Sequence, residues 1–292
     1  MFFTCLQGGS PPYSDDPILA TYKFCNAYRA SDRVSQFLIK QVIYGFSTNP
    51  VDVLFRILFF RLFNKIETWQ ALEAKFGDVT LDNFDPVLYA QALQDIKRQN
   101  GAIYGNAFIL CANKVFGYDQ KHCNHLALLD KIFVQEDLGN QLLAADSLKH
   151  LFELLRSLPL LGDFMAYQIA IDFNYSDLFN FSENDFTIAG PGAVRGINKC
   201  FADTGGAAYE DIIMYMVENQ DKEFERLGLD FRRLDQRPLQ AIDCQGLFCE
   251  TDKYARVKFP QLTSNRVRIK AAYTPRNDRI DYFYPPKWHV RV

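Results

Sequence analysis

The sequence has no long uninterrupted hydrophobic run. Its most apolar stretch, residues 53–63, contains Arg56 and Arg61, and it is too short and too charged to cross a membrane. The first five residues lack the basic flank and long apolar run of a signal peptide, so we expect a cytoplasmic location. Repeats and low-complexity segments are also missing, which excludes solenoid and fibrous proteins.

The C-x-x-C motif is missing as well. The seven cysteines are odd in number and never form C-x-x-C, which favours reduced thiols over disulfides or an iron–sulfur cluster. Two close groupings occur, Cys244 with Cys249 and His122 with Cys123 and His125, but each supplies too few ligands for zinc. The sequence therefore predicts no metal and no cofactor.

No G-x-x-x-x-G-K-[ST] motif occurs anywhere in the chain. The glycines of residues 190–196 lack the Lys-Ser/Thr ending and a preceding buried strand. We therefore expect no nucleoside-triphosphate site, and the chain is not expected to transfer phosphate from a nucleotide itself.

Apolar residues are abundant and recur at helical spacing nearly throughout. Of the 292 residues, 48% are hydrophobic and 15% aromatic, so a substantial core is expected. The periodicity predicts helices at about 34–44, 51–63, 67–76, 86–99, 124–135, 147–157, 163–172, 191–201, 206–227 and 238–255. Strand-like alternation is confined to the last forty residues. We predict an all-α fold with two lobes around a cleft, as a helical domain at 1–260 and a basic, aromatic extension at 261–292 that packs on it.

The formal net charge of −3 hides an asymmetry along the chain. Residues 251–292 carry ten Lys or Arg and only three Asp or Glu, interleaved with aromatic residues. Such a segment can follow the phosphates of a nucleic acid, and it can equally be an irregular tail docked on the acidic remainder of the chain. The charge pattern leaves both interpretations open.

Residues 154–170 read as a helix, a very short turn and a second helix. Pro159 ends the first helix, and Gly162 is free to adopt the backbone geometry that the next helix needs. Such a turn exposes amide groups that can hold a phosphate. The segment resembles the hairpin of the helix-hairpin-helix DNA glycosylases, with Leu158, Pro159, Gly162 and Ala166 at the matching positions and Leu160 in place of the first hairpin glycine.

This resemblance implies a catalytic aspartate after the hairpin. Asp185, beside Asn184, lies 23 residues after Gly162 and is the preferred candidate, while Asp172 and Asp177 lie nearer to the hairpin. A helix N-cap is the alternative role for Asp185. Phe164 stands where related bifunctional enzymes carry a nucleophilic lysine, so the resemblance implies a reaction that uses water.

Four further blocks sharpen the resemblance: residues 26–35, 55–69, 190–201 and 243–254. Together they are similar to the α-glutamyl/putrescinyl-thymine pyrophosphorylase family, which includes the helical domain attached to phage 5-hydroxymethyluracil DNA kinases. The blocks stand in family order over about residues 22–260. The resemblance implies a glycosylase-derived helical fold that acts on modified pyrimidines in phage DNA.

A base taken out of the DNA stack needs a pocket of aromatic and polar side chains. Our candidates for it are Tyr28, Arg29, Asp32, Arg33, Arg56, Asn64, Tyr167, Gln168, Gln245 and Glu250. The candidates for DNA contacts are Gly162, Gly190, Gly192, Arg195, Lys199, Lys253, Arg256, Arg266, Arg268 and Lys270.

Some of these candidates have structural alternatives. Arg29, Asp32 and Arg33 can instead form a surface charge cluster, and Arg56 can be a buried charge paired with Glu67 or Asp52. The polar run 243–253 within an apolar helix is hardest to explain by packing, so we expect it to line a site.

These observations support three hypotheses. The preferred one is a monofunctional DNA glycosylase that excises a bulky modified pyrimidine from phage DNA in anti-phage defence, with Asp185 stabilising the sugar cation. Its rival is a DNA-modifying transferase that replaces a phosphorylated 5-hydroxymethyluracil substituent with an amine. The third is a non-catalytic DNA-binding module. In each case the expected partner is double-stranded DNA with modified bases, bound by a monomer away from membranes.

Overall fold

The computed structural model describes residues 4, 6–10, 13–46, 49–108, 110, 112–262, 264–269, 271–276 and 278–291. The chain forms two compact units. The terminal unit contains Met1–Asp32, Phe186–Tyr282 and Val290–Val292, and the central unit contains Arg33–Asp185 and Phe283–His289. The chain thus enters the central unit after Asp32 and returns to the terminal unit after Asp185.

Helices make up the regular secondary structure of both units. In chain order they are α1 Pro17–Thr21, α2 Arg33–Phe37, α3 Pro50–Phe63, α4 Ile66–Phe76, α5 Pro86–Asn100, α6 Lys121–Asp130, α7 Leu138–Leu143, α8 Leu148–Ser157, α9 Asp163–Asn174, α10 Pro191–Cys200, α11 Tyr209–Arg226 and α12 Ala241–Lys258. Helix α2 continues as the π-helix Leu38–Ile43 and α6 as the π-helix Lys131–Gln135, and 3₁₀ turns lie at Arg29–Ser31 and Pro286–Trp288. Within the described ranges there is no strand, only isolated bridges, and the all-α prediction is confirmed.

The predicted helices are all present to within a few residues at each end. The periodicity missed only short elements, such as α1 with five residues and α7 with six. The alternating pattern near the C-terminus forms a single bridge, between Tyr22 and Ala272. Among the described residues, no helix combines the length and the apolar content that a membrane span requires.

Capping side chains define where several helices begin. Asn49 accepts a hydrogen bond from the Asp52 amide ahead of α3, and Asp85 accepts from two amides at the start of α5. Ser147 caps α8 in the same way. A proline occupies the first turn of α3 and α5, where its missing N–H costs no hydrogen bond. These starts are therefore encoded locally.

Helix α3 is the core of the central unit, and nearly all of its side chains are buried. Phe55 and Phe59 contact the rings of Phe84, Trp69 and Tyr89 at centroid distances of 5.0–6.3 Å. Edge-to-face ring contacts of this kind add to the burial of apolar area. A helix with no solvent-facing side has to satisfy its two arginines within the protein.

Arg56 does so through backbone carbonyl groups. Its guanidinium donates to the carbonyl oxygens of Val42, Val79 and Gln41 at 2.9–3.3 Å and stacks on the ring of Trp69. Arg56 is thus a buried charge, as the structural alternative held, but its hydrogen-bond partners are carbonyl groups and not Glu67 or Asp52. Burial lowers the pKa of Arg56 from its ordinary value.

Arg61 is satisfied by a carboxylate instead. Its Nε and Nη2 donate to the two oxygens of Asp172 on α9 at 2.6 and 2.9 Å, and its Nη1 donates to Asn64 at 2.8 Å. Both partners of the ion pair have fully buried side chains. This bidentate pair joins α3 to α9 and gives Asp172 a structural position.

The hairpin of α8 and α9 is present, but its backbone differs from the expectation. Gly162 has a φ of −85°, which any residue can adopt, and it is Leu160 that has a left-handed φ of 72°. The residue that replaces the first hairpin glycine thus takes the conformation that favours glycine. The special role assigned to Gly162 in the turn geometry is wrong.

Residues 283–289 pack on the central unit. The Lys287 ammonium donates to the carbonyl oxygens of Asn174, Ser176 and Phe179 at 2.5, 2.8 and 2.6 Å. Trp288 contacts the ring of Tyr175 edge to face at 5.3 Å. The ammonium satisfies carbonyl groups at and after the C-terminal end of α9, where a positive charge is favourable.

Candidate functional site: α12 and residues 23–32

The polar run that the sequence analysis singled out lies on α12, in the terminal unit. This helix presents polar side chains on two opposite sides. Asp243 and Glu250 are seven positions, or about two turns, apart and share one side, and Asp252 lies on the other. Asp243 and Glu250 contact residues 25–29, and Asp252 contacts Arg195 and Lys199 of α10. The run therefore bonds with two neighbouring elements rather than facing solvent.

Asp32 is the centre of the first side. Its Oδ1 accepts hydrogen bonds from the backbone amide of Asn26 at 2.9 Å and from the Asn26 side chain at 3.2 Å. The side chain of Cys25 lies close enough to this carboxylate to lower its pKa. These bonds hold residues 25–32 as a compact loop closed by the 3₁₀ turn Arg29–Ser31. No Lys or Arg side chain of the described residues lies within ion-pair distance of Asp32.

Helix α12 fixes this loop through two carboxylates. Asp243 accepts from the backbone amide of Arg29 at 2.8 Å and also from the Gln240 amide at the start of α12. Glu250 accepts from the backbone amide of Cys25 at 3.2 Å and from the Lys253 ammonium at 2.5 Å. The loop thus brings Asp32 close enough to Glu250 for the charge of one carboxylate to act on the acidity of the other.

Asp32 has a perturbed acidity. Loss of hydration raises the pKa of its carboxyl group to about 6, and the negative charge of Glu250 acts in the same direction. The hydrogen bonds from Asn26, the Cys25 side chain and the charge of Arg29 oppose this rise. A carboxyl group with a pKa near neutrality can exchange a proton at physiological pH.

Lys253 occupies a cation site next to this pair. Besides Glu250, its ammonium contacts the carbonyl oxygen of Lys23 at 3.1 Å and lies 5.0 Å from the centre of the Phe24 ring. Gly246 lies on the same face one turn before Glu250, and a Cβ there would meet no atom within 4 Å. The absence of a side chain leaves open space beside Glu250.

The second side of α12 is an ion cluster around Asp252. This buried carboxylate accepts from Arg195 at 3.0 Å, from Lys199 at 2.8 Å and from Arg256. Burial acts to raise the pKa of Asp252, but the hydrogen bonds from the three cations outweigh it and lower the pKa. Three of the cations that we expected to contact DNA, Arg195, Lys199 and Arg256, are therefore engaged within the protein, and Lys253 is engaged with Glu250.

The glycines of α10 allow close packing. A Cβ on Gly192 would lie 2.3 Å from the Cys249 sulfur, and one on Gly196 would lie 1.9 Å from the carbonyl oxygen of Phe248. We expected Gly192 to contact DNA, but α12 covers the face of α10 on which Gly192 lies. Gly190 is the buried N-cap residue of α10.

The catalytic candidates from the sequence are not part of this constellation. Asp185 is exposed, in the turn that follows Ser182, and Asn184 precedes it. Asp185 does not lie at the start of a helix, because α10 begins only at Pro191 and its N-cap residue is Gly190. Its alternative role as a helix N-cap is wrong for the same reason.

The remaining pocket candidates occupy structural positions. Tyr28 is buried, and its hydroxyl donates to the carbonyl oxygen of Arg237 at 2.5 Å. Asn64 ends α3 in a left-handed conformation, and Gln245 is buried on α12. Tyr167 and Gln168 are buried within α9, and Arg33 begins α2. Arg56, as described above, is also buried, so only Asp32, Arg29 and Glu250 of the predicted pocket come together.

The predicted C-terminal DNA contacts are partly described. Arg266 and Arg268 are exposed, and their guanidinium groups pair with no side chain of the described residues. The carbonyl oxygen of Arg268 accepts from Arg256 at 3.2 Å. Lys270 lies outside the described residues. Gly162 is the N-cap residue of α9. Contact of these residues with DNA stays a prediction.

Sequence reasoning missed several residues of the site. Cys25 and Asn26 help to hold it together, yet neither was a candidate. Asp243 and Asp252 lie in the polar run 243–253 that was expected to line a site, but they were not named as pocket candidates. The signal for Asn26 was its presence in the block 26–35.

Comparison with known proteins places the chain in a family. Residues 1–264 match the family described as 5-hmdU DNA kinase, helical domain. Since that match covers most of the chain, the chain belongs to this family. A curated relative, the 5-hmdU DNA kinase of Bacillus phage SP10, is 26% identical over 272 residues, which are 85% of this chain and 41% of the relative. The chain therefore spans less than half the length of that relative. No solved structure gives a significant match.

The family corrects the preferred functional hypothesis. The resemblance to the helical domain of 5-hydroxymethyluracil DNA kinases is confirmed. The hypothesis of a hydrolytic glycosylase that excises a base in anti-phage defence is wrong, because both the family and the relative are named for a 5-hmdU DNA kinase. The rival hypothesis, a DNA-modifying transferase, agrees better with these findings.

Proposed function

We propose that the chain modifies 5-hydroxymethyluracil in DNA by replacing a phosphorylated hydroxymethyl substituent with an amine. The observation that carries this proposal is the family match over residues 1–264. The matched stretch has no phosphate-binding motif for a nucleotide, so we assign to it the step that follows phosphorylation rather than phosphorylation itself.

The reaction exchanges one bond for another at the exocyclic carbon of the base. The amine nitrogen forms a bond to this carbon, the carbon–oxygen bond to the phosphate breaks, and the phosphate leaves with the electron pair. The protein has to bind the DNA, expose the base, receive the amine and accept a proton. Exposing the base takes it out of the stack, at a cost of a few kcal/mol.

The hairpin of α8 and α9 supports the finer proposal that the fold derives from helix-hairpin-helix DNA glycosylases. In this proposal the hairpin amides near Gly162 contact a phosphate of double-stranded DNA. The chain acts as a monomer, as a helical domain at 1–260 with a basic extension at 261–292. The catalytic role of Asp185 stays a prediction from the resemblance.

The proposed function is tested with a duplex oligonucleotide that carries one chemically synthesised 5-phosphomethyluracil or 5-pyrophosphomethyluracil. We expect incubation with the purified chain and putrescine or glutamate to yield a nucleoside with the mass of the amine adduct, detected after nuclease digestion. Release of phosphate or pyrophosphate should match the adduct in amount. Unchanged DNA that is nevertheless bound would overturn the transferase and favour a non-catalytic DNA-binding module.

The exposed arginines of the C-terminal segment provide a separate test of DNA binding. Replacing Arg266 and Arg268 with Gln should weaken binding to modified and unmodified duplexes alike. It should also reduce the slope of log affinity against log salt concentration by about 0.9 for each phosphate contact that is lost. Fluorescence anisotropy at several salt concentrations measures both quantities.

The matched control replaces two other exposed cations, Arg98 and Lys114, with Gln. It should leave the salt slope unchanged. If Arg266 and Arg268 instead dock the segment on the acidic part of the chain, their substitution will lower the thermal stability and leave the slope as it was.

A further inference from the structure

We propose that Asp32, assisted by Glu250, is the base that deprotonates the incoming amine. This inference rests on the proposed function and names the group that prepares its nucleophile. In the reaction, an ammonium proton moves to an oxygen of Asp32. The free amine then forms its bond to the exocyclic carbon as the phosphate leaves, and Asp32 returns the proton to water.

The partners of each carboxylate distinguish Asp32 from the alternatives. Asp172 forms a buried ion pair with Arg61. Asp252 forms ion pairs with three cations, Arg195, Lys199 and Arg256. A carboxylate that already faces a cation has little capacity to receive another. Among the described residues, the hydrogen-bond donors to Asp32 are the backbone amide and the side-chain amide of Asn26.

The surroundings of Asp32 also suit an ammonium ion. Beside this loop, the ammonium of Lys253 on α12 is held by Glu250, by the backbone carbonyl of Lys23 and by the face of Phe24. Carboxylate, carbonyl and aromatic face are the groups that recognise ammonium ions in general. Gly246 leaves the adjoining space open for a ligand.

The raised pKa of Asp32 supports a proton transfer. With a pKa of about 6, the carboxylate of Asp32 is a stronger base than that of an ordinary aspartate. The pKa of Asp32 is therefore closer to that of an ammonium ion, which favours the transfer of a proton between them. The charged groups that face it are Glu250, which raises its pKa, and Arg29, which lowers it, while Lys253 neutralises part of the field of Glu250.

The first experiment compares Asp32→Asn with Asp230→Asn, which makes the same chemical change at an exposed position of the same unit. Loss of a general base should lower kcat for adduct formation by ~10²–10⁴-fold. DNA affinity should be retained, since asparagine can still accept from the Asn26 amide. The control should keep the wild-type rate. A rate of Asp32→Asn equal to that of the control would overturn the assignment.

The second experiment uses the pH dependence of the rate. The base form of Asp32 must be unprotonated, so the wild-type rate should rise with pH through an apparent pKa about 6. Glu250→Gln removes a negative charge and should move this rise in rate to lower pH. Lys253→Met leaves the charge of Glu250 without its ion-pair partner and should move the rise to higher pH. If Asp32 has a merely structural role, the rate should rise at the same pH in both variants, and that result would overturn the inference.

A third measurement separates this inference from the proposed function. The carboxyl carbon of Asp32 is followed by NMR while putrescine alone is added to the full chain. A shift of this resonance that is lost in Glu250→Gln would support amine recognition even if the wild-type protein forms no DNA adduct. No shift would overturn the inference, whatever the outcome for the adduct.

Discussion

Asp172→Asn should lower the free energy of unfolding by about 3–5 kcal/mol. The substitution keeps the shape of the side chain but leaves the Arg61 guanidinium buried without its counter-charge. Both side chains are fully buried, with Nε–Oδ2 and Nη2–Oδ1 distances of 2.6 and 2.9 Å. Water cannot replace the lost charge there, so the cost should be close to that of an unpaired buried ion. Urea denaturation followed by circular dichroism measures the loss.

Two variants serve as controls for this prediction. Asp95→Asn removes an exposed ion pair with Lys75 and Arg98, and it should cost less than about 1 kcal/mol. The double variant Arg61→Met with Asp172→Leu removes both buried charges, so it should be more stable than Asp172→Asn alone. Equal stability of Asp172→Asn and Asp95→Asn would contradict the buried pair.

Gly196→Ala should destabilise the terminal unit by about 1–3 kcal/mol. The added Cβ would lie 1.9 Å from the carbonyl oxygen of Phe248 and 2.6 Å from its carbonyl carbon. Backbone atoms of α12 cannot rotate away as a side chain can, so α10 and α12 would have to separate. Their separation would also stretch the bonds from Arg195 and Lys199 to Asp252. The loss is measured by thermal denaturation.

Two other glycines of α10 and α12 show how the effect should depend on the atoms that an added Cβ meets. Gly192→Ala meets the Cys249 sulfur, which is a side-chain atom, so Cys249→Ala in the same chain should recover much of its cost. Gly246→Ala meets no atom within 4 Å, and it should stabilise the helix by about 0.5–1 kcal/mol. A neutral effect of Gly196→Ala would mean that α10 and α12 are further apart than the structure shows.

Helix positions could be predicted from the sequence because their determinants are local. The capping residues Asn49, Asp85 and Ser147 act within three positions along the chain, and the apolar periodicity of α3 spans only fourteen residues. The polar blocks 26–35 and 243–254 also pointed to the family, since residue order alone carries a resemblance. The hairpin of α8 and α9 was predictable for the same reason.

The partners of charged residues could not be predicted in this way. Arg56 and Arg61 lie on one helix and look alike in the sequence, but one binds carbonyl groups and the other binds Asp172, 111 positions away. Asp185 has the expected spacing from the hairpin, yet the turn in which it lies leaves it exposed. Spacing along the chain does not determine burial.

The sequence by itself determined the all-α fold, the helix boundaries and the family, because each depends on neighbours within a few residues or on residue order. Only the tertiary structure decided which of the many carboxylates is held by cations and which is not. Asp252 and Asp32 differ in this respect because α10 brings two cations to the former, while residues 25–29 bring only neutral donors to the latter. That difference arises from contacts between distant segments, and the acidity of a carboxyl group depends on such contacts.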